Sequence, residues 1–441
     1  LPRALATRFL RTRHLVCLLV ASVPARNPAS SPHPVSSALE REKLDASLRR
    51  RFGVAWIFLL LSALLGFGLR LQVVQPWATL EYAHLLHTHS HLAFLGWVFN
   101  AFFVVSLRHF IPAECRGSYD WLWWTMQAAV AGMLATFPFQ GYAPASIAFS
   151  TVHMVASFAF ALKLWRRNHA SPAARPHLHA ALIFMLLSGL GPLALGPLAS
   201  AGLRDSPAYT LAVYFYLHCQ YNGWFLFFLQ ALALQLAHER AWPVCTSAAL
   251  RAAGWLFAGN VLAYALSTLW CDPPAWVRGA AIAGGALQII GCVEFARAFG
   301  PLRLPSCGIQ GILLATAIAG WLLKHALHAL GGWPAFNALL PQRFVAIAFL
   351  HLIFLGVVLP ALIAWAAAQG WFRSRTRFRI GALLLLAGVA ATELLLLAPT
   401  VLAAFGWFPE WPLARLLAAA SALLVVALFL TGDFRRGAKM P

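Results

Sequence analysis

The chain has 441 residues, 61% hydrophobic and only 10% charged, with a mean hydropathy of +0.72; a composition this apolar excludes an ordinary soluble enzyme, and its recurring runs of about twenty apolar residues mark a polytopic membrane protein. A formal net charge of +20 would suggest nucleic acid as the partner of a soluble chain. Here the basic residues fall in short loops between apolar runs, so they report topology and the partner is the lipid bilayer, not nucleic acid.

Residues 1–53 are rich in Arg, carry a Pro/Ser-rich patch, and contain one apolar run, 15–25, with the proportions of a signal-peptide core. A cleaved signal would place the next segment outside, against the charge pattern below, so the stretch reads as a basic, loosely ordered cytoplasmic extension. A transmembrane domain then occupies 54–432 and a short cytoplasmic tail 433–441. Twelve spans are expected, at roughly 54–71, 84–107, 121–141, 146–165, 178–199, 208–237, 248–270, 277–299, 309–330, 344–366, 380–403 and 412–430. The fold class is therefore all-α, a bundle of about twelve transmembrane helices. With the N-terminus inside, the inner loops and tail hold Arg108, Arg116, Lys163, Arg166, Arg167, Arg175, Arg240, Arg251, Arg297, Arg303, Arg373, Arg375, Arg377, Arg379, Arg435, Arg436 and Lys439. The outer side holds only Arg70, Arg204, Arg278, Arg343 and Arg415. This asymmetry places both termini in the cytoplasm of a cell whose bounding membrane is of the bacterial inner-membrane kind.

Span two opens with His84-Leu-Leu-His87-Thr-His89-Ser-His91 and runs without a break into apolar sequence. Histidines in such a place are costly to bury unless something uses them. At about 100° per residue, His84, His87 and His91 share a stripe, with His89 on the other side. Imidazole is a good ligand for iron, copper and zinc, whereas solvation at the interface would also satisfy these rings. Further along, His153 lies in span four beside Ser150, Thr151 and Ser157, which could satisfy it. His218 lies in span six within Tyr216-Leu-His-Cys-Gln-Tyr-Asn-Gly-Trp224, where His218, Tyr221 and Asn222 share a face. In span ten, His351 stands alone in apolar sequence, suited equally to an axial haem ligand or a hydrogen-bonded core histidine. Counted from the outer ends of their spans, His91, His153, His218 and His351 all fall about 12–15 Å deep, a single layer in the outer half of the bilayer. Lys324, His325 and His328, near the outer end of span nine, are expected to be solvated. Glu294 and Glu393 are candidate buried acids, and Gln288 and Gln310 candidate relay groups. The seven cysteines include no C-x-x-C pair and give no disulfide framework.

Twelve spans with a histidine high in spans two, six and ten resemble the catalytic subunit of the haem-copper oxidase and nitric oxide reductase superfamily. The local match lies in His91-Leu-Ala-Phe-Leu-Gly-Trp97, followed by His109-Phe-Ile-Pro112 at the far end of the span. The resemblance implies one low-spin haem b clamped by His91 and His351, and a copper ligand at His218. The chain departs from the family in span seven, which has no histidine pair, and in span ten, which has one histidine instead of two. A rebuilt copper or zinc site from His84, His87 and His218 is the expected substitute, with His153, His325 and His328 as weaker metal ligands and Tyr221 as a candidate catalytic proton or radical partner. The sequence also resembles the NnrS-type membrane haem proteins. The readings this leaves are an oxidoreductase of electron transfer or small-gas (oxygen, nitric oxide) metabolism served by an electron donor or partner subunit, a non-enzymatic haem- or metal-binding or sensing protein, and a transporter with a histidine-rich outer vestibule.

Overall fold

In the computed structural model, the described residues are 34–299, 308–337, 343–407 and 411–434. The expectations for residues 1–33 and for 435–441 of the tail therefore lie outside them, as does Arg303. Among the described residues the fold is a bundle of helices without β-strands. We label its long helices α1 (Pro34–Val74), α2 (Tyr82–His109), α3 (Asp120–Gln140), α4 (Pro144–Arg166), α5 (Arg175–Ser200) and α6 (207–239). They continue as α7 (Thr246–Cys271), α8 (Ala275–Ala298), α9 (Ile309–Gly331), α10 (343–368), α11 (Arg375–Ala404) and α12 (Leu413–Thr431). Each expected span falls on one of these.

Ten of the helices are long and apolar enough to cross a membrane. The other two, α3 and α6, cover the expected residues, but tryptophans at the start of α3 and the run His218-Cys-Gln-Tyr-Asn in α6 lower their hydropathy.

The first helix differs from expectation. It begins at Pro34 and has 41 residues, about 60 Å at 1.5 Å per residue, or twice the hydrocarbon thickness. Residues 34–53 are thus helical rather than loosely ordered. The reason is contact: Leu48 and Phe52 are fully buried, Phe52 packs on Trp97, Trp365 and Trp371, and Asp45 accepts from Arg108 and the Trp371 indole, each at 3.1 Å.

Three helices, α2, α6 and α10, change from α to π winding midway, over Leu92–Phe99, His218–Phe225 and Leu352–Val358. Each π stretch starts at, or one residue after, a histidine: His91, His218 and His351. Single π turns accommodate an extra residue and recur at functional positions. The three stretches also touch one another at the bundle centre, where Phe94, Phe225 and Phe354 form all three pairwise ring contacts, at 5.5, 4.6 and 5.4 Å.

Small residues close the other side of the bundle. A Cβ on Gly259 of α7 would stand 2.8 Å from the Gln288 nitrogen and 2.9 Å from the Gly284 carbonyl of α8. One on Gly285 of α8 would stand 2.6 Å from the Ala329 Cα of α9, and one on Gly320 of α9 would stand 2.9 Å from the Gly356 carbonyl of α10. Backbones approach this closely in membranes because dispersion contacts, rather than water exclusion, hold the helices together.

Candidate functional site

The expected single layer of histidines is divided into three groups by packing. The first lies between α2, α3 and α4. His91 donates from Nδ1 to the His87 carbonyl at 2.8 Å, stacks on Phe137 at 4.4 Å, and meets the edge of Tyr142, which also contacts His87. His153, 1% exposed, uses Nδ1 on the Ser157 hydroxyl at 3.1 Å, while that hydroxyl donates to the His153 carbonyl. Its Nε2 has no partner, and His91 is within electrostatic reach. His84 Nε2 lies 3.3 Å from the Glu81 carboxylate, and His84 lines a cavity of about 510 Å³ together with Trp77, Glu81, Tyr82 and Pro138 among others.

The second group lies between α1, α2 and α10. His89 donates from Nδ1 to the Ser62 carbonyl at 2.8 Å, and the Ser62 hydroxyl donates back to the His89 carbonyl at 3.2 Å. The ring lies over Gly66, where a Cβ would come within 3.0 Å of it. His351 has an unpartnered, buried Nδ1, and its electrostatic neighbours are His89 and Arg70. Both residues are half-buried. The expected approach of His91 to His351 is thus not the packing seen, and His89, expected on the opposite face, is the neighbour of His351. About 200° of helix separates the two α2 histidines, and it is His89 that faces the His351 side while His91 faces α3 and α4.

The third group joins α6, α7, α8 and α9. His218, 4% exposed, donates from Nε2 to the Asn260 carbonyl at 2.8 Å and accepts at Nδ1 from Asn222 at 3.2 Å. Its ring stacks parallel to His328 at 6.3 Å and 11°. The Gln288 amide donates to His328 Nδ1 and to the Gly259 carbonyl, each at 3.2 Å, and its oxygen accepts from Lys324 at 3.1 Å. Lys324, His325 and His328 are 1%, 3% and 6% exposed, so the expectation that solvent satisfies them fails. The close approach of α8 and α9 at Gly285 excludes water from their side. Asn260 was not singled out by its sequence, yet it is 2% exposed and neither amide atom has a partner.

The structure does not bring His84, His87 and His218 together. Both His218 nitrogens are engaged, an ammonium is among its neighbours, and among the described residues no cluster of three or more His, Cys, Asp or Glu forms a metal site. Tyr221 packs on Phe94 and Phe349. Glu294 is a structural anchor, bonded to Arg251 and Arg297 at 2.9 and 2.8 Å, while Glu393 keeps one buried oxygen unpartnered.

At their C-terminal ends the three π-bearing helices are tied together. His109 of α2 donates from Nδ1 to Glu239 of α6 at 2.9 Å, and its Nε2 accepts from the Trp365 indole of α10 at 3.0 Å. Gln235 donates to the same carboxylate. Burial works against the Glu239 charge, but these donors and the nearby Arg108 outweigh it and hold the carboxyl below its ordinary range. No protein-family model matches this chain, and no curated protein matches it.

Proposed function

We propose that the protein is an integral membrane haem protein of electron transfer or small-gas metabolism, with one b-type haem between His89 of α2 and His351 of α10. The observation that carries this reading is the convergence of α2, α6 and α10. Each winds into a π stretch at a histidine, the three stretches pack ring to ring, and these are the helices whose histidines the haem-copper superfamily uses.

The donor chemistry fits the group. Two neutral imidazoles are the standard axial pair of an electron-carrying haem. His89 is anchored through Nδ1, which leaves its Nε2 lone pair for a metal, and the backbone carbonyl that anchors it sets the ring and its tautomer. Gly66 has no side chain to crowd that ring, and Arg70 supplies positive charge near both rings, suited to an acidic cofactor edge. When bound, the haem would supply one-electron chemistry. The protein's own part is to hold the two rings and, at His89, to fix the tautomer. The missing span-seven pair and second span-ten histidine argue against the family's binuclear oxygen-reducing centre, so electron relay or gas sensing is favoured over terminal reduction. The proposed orientation, both termini cytoplasmic, follows from the Arg/Lys asymmetry.

The absorbance spectrum of purified protein tests this. A reduced b-type spectrum is expected, lost in His89→Ala and in His351→Ala and retained in His91→Ala. Protein without haem, or a spectrum that survives both of the first two substitutions, removes the assignment.

A further inference from the structure

The cavity of about 510 Å³ at the N-terminal end of α2 has no part in the haem reading. Its walls come from three places: the C-terminal end of α1 with the segment joining it to α2, the first residues of α2, and the C-terminal end of α3. The joining segment is fixed at two points. Gln72 of α1 donates to the Leu80 carbonyl at 2.6 Å, and the Trp77 ring rests on α1 at Gly68, where a Cβ would come within 3.1 Å of it. The concavity is therefore part of the packed fold.

Among the described residues that line it, Glu81 is the one Asp, Glu, Lys or Arg. No Lys or Arg among the described residues lies within ion-pair distance of that carboxylate. Its neighbour is the His84 imidazole, with Nε2 3.3 Å away. Gly141 backs that ring from the α3–α4 turn: its φ is +57°, and a Cβ there would stand 2.5 Å from Nε2. Backbone conformation and space both call for glycine at this position, so the imidazole is held in place. The rest of the lining includes Trp77, Tyr82, Pro138 and Phe139. A carboxylate without a fixed cation, set among aromatic rings in a cavity of small-molecule size, is the chemistry that recognises an ammonium on an apolar body. The carboxylate takes the N–H groups, and the rings take the charge and the body. A bare metal ion suits it less, because the cavity is far larger than an ion and no cluster of three or more His, Cys, Asp or Glu forms among the described residues.

We propose that this cavity binds a primary amine with an apolar body, its ammonium on Glu81 and its body against Trp77 and Phe139. The same group is offered by a free amine and by the headgroup of an aminophospholipid, and the two sources separate in the test below.

Equilibrium dialysis of radiolabelled phenethylamine against the purified full chain in maltoside micelles tests this. Wild type should show a saturable component that phenylacetate and phenylethanol, the same body without the ammonium, do not displace. Glu81→Gln, at an exposed carboxylate, should weaken it about tenfold or more, the loss of one charge-assisted bond. Trp77→Leu should weaken it about two- to fivefold. Glu114→Gln, exposed between α2 and α3, should leave it unchanged. His351→Ala should do the same, which separates this site from the haem. Displacement by dihexanoyl phosphatidylethanolamine but not by dihexanoyl phosphatidylglycerol assigns the ammonium to a lipid, and displacement by neither assigns it to a free amine. Should Glu81→Gln fail to give a monodisperse protein, Trp77→Leu carries the same test. No saturable component in wild type, equal displacement by phenylacetate or by both lipids, or an unchanged affinity in Glu81→Gln overturns the proposal.

Discussion

Removing His109 should unfasten the C-terminal ends of α2, α6 and α10 from one another. The imidazole gives a hydrogen bond to the Glu239 carboxylate at 2.9 Å and takes one from the Trp365 indole at 3.0 Å. A bond to a charged group contributes about 1.5–3 kcal/mol, and a neutral one between membrane helices about 0.6 kcal/mol on average. His109→Ala should therefore cost about 2–4 kcal/mol at neutral pH, and Trp365→Phe under about 1 kcal/mol. The assay is equilibrium unfolding in mixed detergent micelles, run as a double-mutant cycle. Once His109 is gone the indole has lost its acceptor, so Trp365→Phe should add almost nothing to His109→Ala. Acidification gives a second check. The folded carboxyl of Glu239 is held below its ordinary value, so its contribution is complete above about pH 4–5 and fades as pH falls through the lower folded value. The gap between wild type and Glu239→Gln should narrow over that acidic window. Strict additivity in the cycle, or a cost for His109→Ala below about 0.5 kcal/mol, would refute the argument.

Gly259→Val should destabilise the protein by about 1–3 kcal/mol or block its assembly, because its first new atom would meet the backbone of α8; Gly356→Ala, which meets only the Leu352 side chain at 3.2 Å, should be tolerated, and thermal unfolding of both variants checks the contrast. Cys245 is exposed at the start of α7, and a hydrogen bond with Ser247, with further help from the Ala248 amide, lowers its thiol pKa. It should react with maleimide much faster than buried Cys219 and Cys292, and a protein in which all three label alike would contradict the packing. Reporter fusions after Arg167 and after Arg379 should both read cytoplasmic, and a periplasmic signal at either would break the assigned direction.

The helices themselves were legible because twenty-residue apolar runs leave little choice in lipid, where the backbone must satisfy itself. The side to which each histidine points was partly legible. Separating His89 from the stripe of His91 needed only the helical period, but deciding which of the two meets α10 needed the neighbours Ser62 and Gly66, which lie 27 and 23 positions earlier in the chain. Depth counted from span ends suggested that Lys324 reaches water. It does not, because Gly285 lets α8 and α9 meet backbone to backbone at Ala329 and Gln288 of α8 accepts from the Lys324 amine, a contact across 36 residues that leaves no periodic trace. Residues 34–53 read as polar and loosely ordered because, among the side chains described there, Leu48 and Phe52 are the fully buried apolar ones. The π stretches have no compositional mark.

The long first helix also sets the order of assembly. Asp45 leaves the ribosome early, yet its partner Trp371 follows 326 residues later, a delay of roughly 16–65 s at ordinary elongation rates. Through that interval the N-terminal half of α1 has an apolar face, at Leu48 and Phe52, with most of its final partners unmade. Closure against α10 and the segment before α11 is thus a late event in biogenesis, and a chain stalled before Trp371 offers that face to chaperones and proteases as the sign that it is unfinished.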